Sequence, residues 1–83
     1  MKYWNKTREA RKRTWTQVQW RPHNMNFYTI EVNIEEMKRW CQHQPGGRFW
    51  YSEHWADDHD PVYYWTWWFE RPSDATTFTL RWL

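Results

Sequence analysis

Any core this chain builds must be built from rings. Ten Trp, five Tyr and four Phe stand among its 83 residues, while Leu, Ile, Val and Phe together number only 11. So few aliphatic side chains would suggest disorder if net charge were high and aromatics scarce. Neither holds, because the net charge is +2 and 23% of the residues are aromatic. Each ring system can bury on the order of 150–250 Å². A single domain of this length hides about 60–65% of its unfolded surface, so its core is small and association into a homo-oligomer is expected.

The remaining composition narrows the class. No run of about 18 apolar residues is present, so no membrane span is expected. The start, Met1-Lys2-Tyr3-Trp4-Asn5, lacks the apolar stretch of a signal peptide. Cys41 is the only cysteine, so no internal disulfide can form. These features fit a cytosolic protein.

Charge is unevenly placed. Residues 1–13 carry Lys2, Lys6, Arg8, Arg11, Lys12 and Arg13 against Glu9, or +5, whereas residues 14–83 carry six basic and nine acidic groups, or −3. The chain divides on this reading into a basic arm, 1–13, and a single α+β domain, 14–83. Such an arm can contact nucleic acid, dock on an acidic neighbouring subunit, or remain a solvated tail.

Periodicity sets the expected elements. Thr14 to Trp20 reads as a strand, and Phe27 to Val32 as a second. A helix is expected from Asn33, with Asn33 as its cap, Glu36 at the reciprocal position, and Ile34, Met37, Trp40 and Cys41 as its buried stripe. Pro45-Gly46-Gly47 ends it, with Gly available for a left-handed cap. Arg48 to Trp55 and Val62 to Glu70 read as strands around a polar loop. The second of these is apolar on both faces, so both must be covered or one must bind something. Arg71-Pro72-Ser73-Asp74 opens a second helix with the stripe Ala75, Phe78, Thr79 and Trp82, although Thr77 to Trp82 also alternates with period two. The order β-β-α-β-β-α gives one small domain, an antiparallel sheet with two helices on one face, in a ferredoxin-like or split β-α-β-β-α arrangement.

The run Phe69-Glu70-Arg71-Pro72-Ser73-Asp74-Ala75-Thr76-Thr77-Phe78-Thr79-Leu80-Arg81-Trp82 resembles a signature of small uncharacterised proteins of tailed bacteriophages. A basic start such as Lys2-Tyr3-Trp4-Asn5-Lys6, a Trp15-Thr16 strand and a Trp40-Cys41 helix accompany it there. The resemblance implies a phage origin and action in the host cytoplasm, and it implies no activity. More loosely, Tyr63 to Ala75 is similar to the third strand and second helix of RNA-recognition motifs. That likeness places Tyr64 and Thr66 at base-stacking positions, but Thr66 is not aromatic and no Gly precedes the run.

Three chemistries compete. The cluster His54, Asp57, Asp58, His59 and Asp60 offers imidazole and carboxylate donors suited to a divalent metal, though no spacing matches a zinc or calcium motif. An acidic hairpin tip would look the same. A nucleophile is poorly placed, because Cys41 and His43 point to different sides of a helix. The strongest signal is aromatic surface. If Tyr63, Trp65, Trp67 and Phe69 form the core with Tyr28, Ile30, Met37 and Phe78, then Trp50, Tyr64 and Trp68 lie on the opposite face. Those rings can anchor a protein interface or stack nucleotides. The leading expectation is non-catalytic binding to a host or virion protein, without a cofactor. The rivals are a nucleotide or single-stranded nucleic-acid binder using Trp50, Tyr64, Trp68 and the basic arm, and a metal-dependent enzyme using the His54–Asp60 cluster.

Overall fold

The structure, a computed structural model, describes residues 1–4, 14–23, 26–56, 58–59 and 62–83. Its elements are β1 (Lys2–Tyr3), β2 (Thr16–Trp20), α1 (Phe27–His43), β3 (Arg48–His54), β4 (Tyr64–Phe69) and α2 (Pro72–Trp82). The α+β class stands. The four strands lie in the order β1-β3-β4-β2. Both β2 and β3 run antiparallel to β4, as in the pairs Val18↔Trp67 and Tyr51↔Trp67. They are therefore parallel to each other with β4 between them, which is the split β-α-β arrangement, and α1 makes the crossover. One correction applies to the sheet. It is mixed rather than wholly antiparallel, because β1 pairs parallel to β3 through Lys2↔Arg48 and Tyr3↔Phe49.

The β1 pairing also removes the first residues from the expected basic arm. Met1 is buried, and its α-ammonium donates to the carbonyl of Cys41 at 2.9 Å and to that of Gln44. A cation there sits at the negative end of the α1 dipole. Lys2 is exposed on the edge strand. Lys6, Arg8, Arg11, Lys12 and Arg13 lie outside the described residues.

The second correction is larger. Phe27 to Val32 is not a strand but the first part of a 17-residue helix. Asn26, not Asn33, is its cap, and the Asn26 Oδ1 accepts from the backbone N–H of Tyr28 at 3.0 Å and of Thr29 at 3.3 Å. The buried residues are Ile30, Ile34, Met37 and Cys41, spaced as one helical stripe. Strand preference spans only about 1 kcal/mol and yields to packing. A strand here would turn Ile30 away from that stripe. Tyr28, expected in the core, is consequently exposed. The end of α1 also differs from expectation. Its cap is Gln44 in an extended conformation, and the positive φ falls later, at Gly46.

α2 forms as expected from Pro72, burying Ala75 and Phe78. Its three Thr hydroxyls donate to the carbonyls four residues back, at 3.2 Å for Thr76, 3.0 Å for Thr77 and 2.9 Å for Thr79. This back-bonding explains why Thr does not break the helix here. Asp74 in its first turn is buried and accepts from the Gly47 N–H at 2.9 Å, which ties the turn after α1 to the start of α2.

Both helices cover one sheet face. On it Val18, Trp20, Phe49, Trp65, Trp67 and Phe69 join Ile34, Met37, Cys41 and Phe78 in the main core. Cys41 is fully buried, and burial pushes its thiol up to about 12; the nearby α-ammonium opposes this and Asp74 adds to it. The thiolate is the reactive form. The folded chain is therefore expected to resist a disulfide exchange reagent at neutral pH, and to release one thiol equivalent only in denaturant. Rapid labelling of the native protein would contradict this packing.

Candidate binding groove

The two faces of the sheet differ in what they offer. On the face away from the helices, Trp50 pairs with Trp68 and His54 with Tyr64, as the expected binding face requires. Trp50 and Trp68 are only 5% and 9% exposed, however. They stack on each other at 5.7 Å, and with Trp15 they form a second small core against which Tyr3 and Trp4 pack. Tyr64 stacks on the His54 imidazole at 4.3 Å. These rings are largely covered within the chain itself, so they do not present the open platform that base stacking needs.

Arg48 organises this second core. Its guanidinium lies 4.4 Å from the Trp4 ring and 5.4 Å from the Trp15 ring. The same side chain pairs with Glu70, with Nε donating to Oε2 at 2.8 Å, while Glu70 Oε1 accepts from the Arg48 backbone N–H at 3.2 Å. The side-chain bond from Arg48 holds the Glu70 carboxyl below its usual range. A depressed carboxyl contributes stability above its unfolded value and loses it as pH falls through the folded value. The melting temperature is therefore expected to drop as pH is lowered from about 5. Glu70→Gln should be less stable at neutral pH, by about 1 kcal/mol, and show a shallower acid limb. Circular dichroism melts across pH check both.

The expected metal cluster is only partly placed. Asp57 and Asp60 lie outside the described residues, Asp58 and His59 are exposed, and His54 is engaged with Tyr64. Among the described residues no three His, Cys, Asp or Glu side chains are gathered to hold a metal ion. Cys41 and His43 point apart as expected. The thiol is buried, and the exposed His43 ring places Nδ1 2.8 Å from the Arg39 carbonyl.

Sequence reasoning missed the groove between α1 and the outer ends of β3 and β4. It is a cavity of about 280 Å³ lined by Phe27, Ile30, Glu31, Ile34 and Glu35 from the helix and by Tyr51, Glu53, Trp55 and Trp65 from the sheet side. Its mouth is aromatic. Phe27 and Trp55 are 52% and 50% exposed, and their rings lie 5.9 Å apart. Trp55 follows the end of β3 and is braced there. It meets Tyr63 edge-on at 5.6 Å and Trp65 at 6.1 Å. Its indole N–H donates to Glu53 Oε2 at 2.8 Å. Deeper in, burial raises the Tyr51 phenol, and the charges of Glu35 and Glu53 raise it further together with Tyr3. The groove thus combines ring surfaces with three carboxylates, and among the described residues no basic side chain lines it.

No known protein family, curated protein or solved structure matches this chain. Among the described residues no helix is long and apolar enough to cross a membrane.

Proposed function

We propose that this chain is a small non-catalytic binding module of a tailed bacteriophage that engages a host or virion protein in the host cytoplasm. The observation that carries the binding role is the aromatic mouth of the groove. Phe27 and Trp55 are each about half exposed. Tyr28 and Val32 extend that apolar surface along α1. Trp and Tyr at the rim of a preformed concavity are the side chains that dominate protein interfaces, and apolar surface left beside a groove marks an interaction site. The phage origin rests on the C-terminal signature from Phe69 to Trp82.

The test is affinity capture from infected cells with the wild-type chain beside a Phe27→Ala/Trp55→Ala variant. Capture of a defined host or virion protein by the wild type and not by the variant is expected. Identical sets of proteins from both baits would remove the groove from the reading. Self-association is a companion expectation, supported by Leu80 and Leu83, both exposed at the end of α2. Light scattering should give the mass of two copies or more, and a clean monomer contradicts it.

A further inference from the structure

The groove specifies a charge as well as a shape. Glu31 and Glu35 stand one turn apart on α1, and Glu53 lines the same cavity from β3. Like charges four positions apart oppose a helix. Among the described residues no cation pairs with Glu31 or Glu35. Among the described residues, Lys38 lies 4.8 Å from the Tyr3 ring, and Arg39 shares an adjacent shallow groove with Glu31 and Glu35 but pairs with neither. The cavity therefore holds three carboxylates that no ion pair among the described residues neutralises, with Glu53 held by the Trp55 indole N–H.

Its rings suit one kind of cation. Ring faces attract a positive charge through their quadrupole. The Trp55 and Trp65 planes meet at 67°, so they form a corner rather than a slot. Trp65 is 3% exposed and floors the site beneath the half-exposed Trp55, so a compact ammonium suits it, whereas a planar guanidinium is best held flat against an open ring. Ile30 and Ile34 supply an apolar wall along which an alkyl stem can lie.

We infer that the groove takes a lysine side chain presented by the partner protein, with the stem against Ile30 and Ile34 and the ammonium between the Trp55–Trp65 corner and Glu31, Glu35 and Glu53. This rests on the reading of the groove as a protein-binding site, and it names what that site recognises.

The experiment titrates the full chain with three short peptides, each a single Lys, norleucine or Arg flanked by Gly, and follows intrinsic Trp fluorescence. The lysine peptide is expected to bind saturably and to weaken with salt. Norleucine keeps the stem without the charge and should bind about tenfold more weakly or not at all. Glu35→Gln/Glu53→Gln should weaken lysine binding by a similar factor. Should that double variant fail to fold, Trp55→Ala, at a half-exposed ring, is expected to do the same. Absence of lysine binding, equal binding of norleucine, tighter binding of arginine, or unchanged affinity in a folded variant would each overturn the inference. The two readings fail separately. Equal norleucine binding beside intact partner capture removes lysine and leaves the module, while lysine binding without groove-dependent capture removes the module.

Discussion

Trp67→Ala is expected to unfold the domain. Trp67 is fully buried at the centre of the sheet. Its ring lies 4.8 Å from Tyr51, 5.1 Å from Phe78 and 6.4 Å from Phe49, so it joins three elements at once. Removing a large buried ring costs about 3–5 kcal/mol. That is a large share of the roughly 5–15 kcal/mol by which a domain is stable, and a small core has little to spare. Trp67→Phe should behave differently. It leaves a smaller void and also removes a buried indole N–H that has no hydrogen-bond partner among the described residues. Such a donor carries a desolvation penalty of about 1–3 kcal/mol, so Phe should retain the fold at less than half the cost of Ala. Urea unfolding followed by circular dichroism separates the two. An Ala variant as stable as the wild type would mean that the ring packing does not hold this sheet.

Gly46→Ala is the next largest effect, expected at about 2–3 kcal/mol. Two independent causes add. The φ of +152° is rarely adopted with a side chain, and a Cβ would lie 2.5 Å from Asp74 Oδ1. Asp74 cannot withdraw freely, because it is buried and accepts from Gly47 N–H. Gly47→Ala makes the useful comparison. There the backbone needs no positive φ, and the nearest atoms are Glu70 Oε1, held by Arg48, at 2.9 Å and Nε of the exposed Arg71 at 3.1 Å. A smaller loss is expected. Pairing Gly46→Ala with Asp74→Ala in a double-mutant cycle separates crowding from backbone strain. Full additivity would leave the backbone as the sole cause.

The parts of this fold legible in the sequence are those where pattern and packing agree. β4 alternates rings on two faces, one covered by the helices and the other covered around Trp68 by Trp15 and Trp50, with Tyr64 and Thr66 half-buried beyond them. α2 was marked by Pro72 and Asp74. The start of α1 was obscured because Tyr28, Thr29, Ile30 and Val32 favour strands locally. The opposing signal was present: Ile30, Ile34, Met37 and Cys41 already hold a helical spacing, with Asn26 before them as a cap. β1 carried almost no signal, since two residues have no period, and its place depends on pairing with Arg48 and Phe49. The groove was hidden by the same misreading of α1. Phe27, Glu31 and Glu35 become close neighbours, one turn apart, only on a helix, and nothing local shows that Glu53 and Trp55 lie opposite them.

The pairing of Lys2 with Arg48 across 46 positions also bears on the order of folding. The β3–β4 hairpin closes over a short loop between His54 and Tyr64, and closing a longer loop costs more entropy. Local contacts form early, and distant ones wait until the rest of the chain has brought their partners together. The resting place of Met1 against Cys41 and Gln44 exists only once α1 has folded. Met1, Lys2 and Tyr3 are thus among the last residues to be placed, and their docking latches a sheet assembled from later parts of the chain.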